Sequence, residues 1–342
     1  MTSTLERESS DLLYYNIRIP GSDDAEKIVE AQFRENRTDA ILEDPSQWCV
    51  GMVRFYVPSL YIPIFKWGTQ EPEPLEDPAL SIYFKYGGVS VKRDVAYIPQ
   101  SNDPSPTIGR LLWNYDDFVD MINVTIKQAF DAIKTEAGFP AVTEPRLVYD
   151  ATTRLISLYT EKSMESGSGV EFGMSNLLYS YFPSFPVLED AVTYPNKYVY
   201  FFKIKDNIIN NVTYEGVPGY AIAQEFQTIS IWNGVSKLLF ESNTIPVDPE
   251  LQQGQTNIQQ RVLFDFILSD DQLTDRTAVT YFSTGGQRWT TLKSKYPMRK
   301  MDMNVSILFV DGSTAPLRLG KLDSVTAKLE FRRRDINGDI KY

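Results

Sequence analysis

The sequence has no histidine at all. That absence removes the usual general base near neutral pH, the commonest transition-metal ligand and every histidine-dependent hydrolase triad. Catalysis would have to run on carboxylates, Lys, Tyr or a Ser-Lys pair, so the chain is read as non-enzymatic. Cysteine is almost as scarce: Cys49 stands alone, which excludes an intrachain disulfide and a cysteine metal cage. Between Trp48 and Val50 it reads as a small buried apolar residue. No run approaches the roughly 18 apolar residues needed to span a bilayer, and Met1 to Ser10 has no signal-peptide core, so synthesis in the cytosol is expected. A phosphate-binding loop is missing too. Ser163 to Gly173 contains Gly167 and Gly169 but not the Gly-Lys-Ser/Thr ending, and it is read as a mobile connection. No cofactor, metal site or catalytic residue is expected.

What the sequence does have is alternation. Val325, Ala327, Leu329 and Phe331 are separated by Thr326, Lys328 and Glu330, the period of two of a strand with one buried face. Met303, Val305, Ile307 and Phe309 repeat the pattern before the turn residues Asp311-Gly312, as do Val262, Phe264, Phe266 and Leu268. Val279, Tyr281 and Phe282 precede a reversal at Gly285-Gly286. Nearer the start, Tyr15, Ile17 and Ile19 share a face until Pro20-Gly21, a strand is expected around Ala31 to Asn36, and Trp48 to Val57 reads as a central strand ended by Pro58. Tyr61 to Phe65 is expected to continue extended, and residues 1 to 10 to form a flexible arm. Further strands are expected at Leu80 to Tyr86, Val89 to Val95, Arg146 to Tyr149, Leu155 to Tyr159, Tyr198 to Ile204, Gly219 to Ala223 and Ile229 to Phe240. Proline-rich loops at Glu71 to Pro78 and Pro99 to Pro106, and a polar loop at Gln252 to Gln255, belong on the surface. Leu177 to Pro186, dense in Tyr, Phe and Leu, must be buried.

One segment breaks the pattern. From Tyr115 to Ala137 the residues Phe118, Met121, Ile122, Thr125, Ala129, Phe130 and Ile133 recur at steps of three and four, which predicts a helix packed on a sheet. Asn114 or Asp116 can cap its start, and Gly138 with Pro140 stops it.

Charge is distributed unevenly. The net charge is -11, yet Gly286 to Tyr342 holds 12 Lys and Arg against 6 Asp and Glu. Lys293, Lys295, Arg299, Lys300, Arg332, Arg333 and Arg334 therefore mark a basic interaction face, for an acidic partner surface or for packaged nucleic acid. The competing reading is solvated strand edges, where Lys and Arg are common. Other motifs carry little. Asn-X-Ser/Thr occurs at Asn36, Asn123, Asn211 and Asn304 without a secretion signal, and Asp335 to Asp339 reads as an Asn-Gly turn more than a calcium loop. Carboxylate pairs such as Asp116-Asp117 and Glu189-Asp190 are adjacent in sequence and so diverge in space.

Two sets of short segments are similar to the penton-type minor capsid proteins of virophages and polinton-like viruses. The first is Asp44-Pro45-Ser46, Val53-Arg54-Phe55, Val57-Pro58 and Ile62-Pro63-Ile64-Phe65. The second is Gly286-Gln287-Arg288, Leu292, Pro297, Met301-Asp302 to Asp311-Gly312, and Leu329 to Arg333. The resemblance touches both ends of the chain and about half its length. It implies a jelly-roll virion protein at or near the capsid vertices, a homo-oligomer of pentamer type that assembles with a major capsid protein. The fold expected is mainly β, an antiparallel jelly-roll or β-sandwich with one long helix and a central insertion or second β subdomain. Residues 1–108 would form an N-terminal β region, 109–200 the helix-containing insertion and 201–342 the C-terminal β region completing the sandwich. A carbohydrate-binding or host-attachment module on the same fold is the alternative.

Overall fold

The computed structural model describes residues 2–9, 11–24, 27–67, 80–98, 110–194, 197–204, 209–232, 234–251, 259–269, 278–284, 288–310 and 312–334. The turns expected at Asp311 and Gly285-Gly286, the loops at 71–78, 99–106 and 252–255, and the Asp335–Asp339 motif lie wholly or partly outside these residues. The chain divides into two compact units, one made of 1–64 with 233–342 and the other of 65–232.

Alternation builds the first unit. In Leu12–Pro20 the side chains of Leu13, Tyr15, Ile17 and Ile19 are buried while their neighbours face out. This strand pairs with Ser324–Arg333, which pairs with Trp48–Val57, which pairs with Val279–Phe282. A second sheet runs from Gln32–Asn36 through Lys300–Phe309 and Val235–Glu241 to Val262–Ile267. Numbered in chain order, the eight principal strands thus lie in the orders 1-8-3-6 and 2-7-4-5, all antiparallel. This is the jelly-roll winding of two Greek keys.

Aromatic residues fill the space between the sheets. Phe55 of the first sheet meets Phe240 of the second at 4.7 Å between centroids, and Tyr281 stacks on Phe55 at 5.5 Å. Phe264 lies 6.0 Å from Phe55, edge-on. Each buried Phe contributes about 1.5–3 kcal/mol, so this cluster is a main tie between the layers. Tyr15 gives another: its ring meets Phe33 edge-on, and its hydroxyl donates to Glu35. The buried carboxylate of Asp302 adds a polar tie between the second sheet's two central strands, accepting from Ser242 and Thr244 just past the end of Val235–Glu241.

The second unit holds the helix. Tyr115–Ala137 matches the expected span, with the Asn114 side chain accepting from the Asp116 N–H at 3.1 Å and Gly138 closing the last turn at φ 65°. Only a residue free of Cβ adopts that left-handed conformation cheaply. The helix packs its apolar stripe against strands Ser81–Tyr86, Val89–Asp94 and Arg146–Asp150. Ser81–Tyr86 belongs to a five-stranded sheet with Val89–Asp94, Val170–Ser175, Lys197–Phe202 and Val187–Tyr194. Arg146–Asp150 begins a four-stranded sheet with Leu155–Glu161, Val217–Ala223 and Ile209–Tyr214. Phe182, in the aromatic segment expected to be buried, packs with Phe118 around Trp232.

Several expectations are corrected by the structure. Thr2–Ser9 is a strand paired with Leu12–Pro20, where a free arm was expected, because an edge strand needs only a backbone partner. The 163–173 segment ends as a strand from Val170, and Gly173 lies within it: a Cβ there would sit 2.5 Å from the Tyr200 carbonyl oxygen. Ser59–Tyr61 forms one tight helical turn, so the stretch expected to be extended, Tyr61 to Phe65, begins inside that turn and enters a strand only at Phe65. Ile229–Trp232 forms such a turn too, separating itself from the strand Val235–Glu241. The division also runs differently from the one read in the sequence, since 108 and 200 both fall inside the 65–232 unit. The strands at 81–94 look like a continuation of the sandwich, but they pair with Val170–Ser175.

Candidate interaction face

The start of the Trp48–Val57 strand organises the basic residues. Cys49 pairs on one side with Thr291 and on the other with Arg332, and Trp48 pairs with Arg333. The 288–300 segment then continues past residues 36–42, with Met298 bridging Leu42 and the Arg37 N–H donating to the Arg299 carbonyl at 2.9 Å. One end of the jelly roll therefore gathers Lys293, Lys295, Arg332, Arg333 and Arg334. Arg299 and Lys300 lie further on, beside Arg37 and Asn36.

Most of these cations already have carboxylates in reach. Arg332 is held by Glu330, whose side chain is buried, and lies over the Trp289 ring at 5.1 Å. Arg333 bonds the Gln47 side chain at 2.6 Å and approaches Asp11 at 3.8 Å. Lys293 reaches Asp248 at 3.4 Å. The Arg334 N–H donates to the Gln47 carbonyl at 2.8 Å. Lys295 faces Asp44, whose carboxyl is held below its ordinary range chiefly by the Ser46 hydroxyl, with help from Gln47 and the Lys295 charge. Arg299 and Lys300 are exposed and make no ion pair among the described residues. The face is thus an interleaved pattern of charges, more basic towards Arg299.

Arg288, absent from the sequence-derived set, forms a similar clamp on Asp265 at 3.3 Å and on Glu250. Nearby burial raises the Cys49 thiol, consistent with a packed apolar residue. Among the described residues no group of His, Cys, Asp and Glu could hold a metal ion, and no helix is long and apolar enough to cross a membrane. Asn123, one of the four glycosylation-like motifs, spends its side chain elsewhere: its amide donates to the Leu147 carbonyl and accepts from the Leu147 N–H, both at 2.8 Å.

A jelly roll of two Greek keys carrying a large insert is an architecture found in viral capsid subunits, and one they share with lectin domains and cupins. Comparison with known proteins agrees. The chain belongs to the Sputnik minor capsid protein V18/19 family, whose model matches residues 13–333. It is 26% identical over 153 residues to the uncharacterized protein V18 of Sputnik virophage, covering 39% of this chain and 91% of that protein. Its fold is similar to a chain of the Sputnik virophage solved by cryo-electron microscopy, with TM-score 0.76 and 21% identity over 98% of this chain and 100% of that one. It is also similar to the mavirus penton protein, with TM-score 0.68 and 13% identity over 95% of this chain and 100% of that one. The expected resemblance and the mainly β jelly-roll fold are both borne out, and the protein is a structural component of the virion capsid.

Proposed function

We propose that this minor capsid protein is a vertex subunit, made in the host cytosol, that assembles as a pentamer with itself and docks on a major capsid protein without performing catalysis. The observation that supports it most is the jelly roll itself, complete from Leu12 to Arg333 and alike in fold to a penton protein over nearly the whole chain. The basic face of Lys293, Lys295, Arg299, Lys300 and Arg332 to Arg334 would meet acidic patches of neighbouring subunits. Carboxylates interleaved among these cations would repel phosphates, so acidic protein suits the face better than packaged nucleic acid.

The test follows from the pairing. Reversing Arg332, Arg333 and Arg334 would crowd new carboxylates against Glu330 and Asp11 and confuse folding with assembly. Arg299→Glu and Lys300→Glu together avoid this, whereas Lys295→Glu would set a new carboxylate against Asp44. Electron microscopy of particles assembled with the major capsid protein should show reduced incorporation of the double variant. Wild-type incorporation should fall with added salt, as screening acts beyond a Debye length of about 8 Å. Unchanged incorporation at every salt concentration would reduce the face to solvated strand ends.

A further inference from the structure

The solvent-facing side of the first jelly-roll sheet carries a second cationic surface that no sequence cluster announces. Alternation turns Phe55, Ala327 and Ile17 inward, and strand register then aligns two outward rows: Thr280, Tyr56, Thr326 and Arg18, next to Phe282, Arg54, Lys328 and Asn16. Three of these eight positions are cations, two are aromatic and none is acidic, in a chain whose net charge is -11. Arg18 and Arg54 are exposed and make no ion pair among the described residues. Lys328 lies over the Tyr14 ring at 3.9 Å. Phe282 is 65% exposed and Tyr56 42%.

Arg and aromatic side chains together are the composition of a protein interface more than of a solvated sheet. Duplex DNA fits poorly: its major groove admits a helix or a two-stranded ribbon, not the face of a broad sheet, and three phosphate contacts give little affinity. Complementary charge exists in this protein. The 65–232 unit holds 13 Lys and Arg against 21 Asp and Glu.

We infer that this sheet face docks a second copy of the chain, its cations meeting carboxylates on the neighbour's 65–232 unit. The inference rests on the self-assembly proposed above and names one surface for it. Two unlike surfaces make a heterologous contact, the kind that closes into rings. Sedimentation velocity of the full chain across concentration and salt tests it, using Arg18→Gln/Arg54→Gln and Arg18→Glu/Arg54→Glu. Wild type should self-associate, less so in high salt. The Gln pair should associate about tenfold more weakly and the Glu pair more weakly still, both with the wild-type circular dichroism spectrum. If the Gln pair associates as wild type does, the face is not the contact, while self-assembly stands. A wild type that stays monomeric throughout overturns the self-assembly reading and this inference with it. Loss of duplex DNA binding in the Gln pair, with self-association unchanged, would also overturn it.

Discussion

Asp302→Asn asks whether one buried carboxylate holds the 242–245 turn that follows the strand Val235–Glu241. Its Oδ1 accepts from the Ser242 hydroxyl at 2.6 Å, the Thr244 hydroxyl at 2.8 Å, and the Asn243 and Thr244 N–H groups at 2.9 Å each. Asp302 is only 7% exposed, so water cannot replace those partners. Bonds to a charged acceptor contribute about 1.5–3 kcal/mol net against about 0.5–1.5 for neutral ones, and neutralising this acceptor should cost about 2–4 kcal/mol. For a unit of this size that is a fall in Tm of roughly 5–15 °C. The pH dependence gives an independent check. Burial alone would raise this carboxyl, but the bonds from Ser242, Thr244 and the backbone outweigh it and hold the pKa below 3.8. A depressed folded pKa means stability that is fully present above the unfolded value and lost as pH falls through the folded one. The difference in urea midpoint between wild type and Asp302→Asn should therefore be full near pH 6 and shrink as the medium is acidified below about pH 4. A variant with the wild-type midpoint near pH 6, or a gap that persists undiminished in acid, would refute the reasoning.

Two further substitutions probe the 65–232 unit. Gly173→Ala would place a Cβ 2.5 Å from the Tyr200 carbonyl oxygen and 2.9 Å from the Phe201 ring, and should destabilise by about 1–3 kcal/mol in urea titration; an unchanged midpoint would mean that the two strands separate without cost. Asn123→Ala orphans both the N–H and the C=O of Leu147 and should cost about 2–3 kcal/mol, with faster hydrogen exchange across Arg146–Asp150. Normal protection of that strand would show that the clamp carries no weight.

Sequence alone determined what depends on near neighbours. The period of two at Tyr15, Ile17 and Ile19, and at Leu329 and Phe331, marked strands and their buried faces. Asn114 and Gly138 bounded the helix because capping is chemistry between residues a few positions apart. Which strand pairs with which was decided only in three dimensions. Backbone N–H and C=O groups are the same in every strand, so nothing local told Thr2–Ser9 to join a sheet or Ser81–Tyr86 to leave the sandwich for Val170–Ser175. Charges followed the same rule. Arg332 to Arg334 stood out as a run, yet the structure partners Arg332 and Arg333 with Glu330 and Asp11. Arg18, Arg54 and Lys328, each isolated in sequence, share one face because register across three strands, fixed by their common buried side, puts them there.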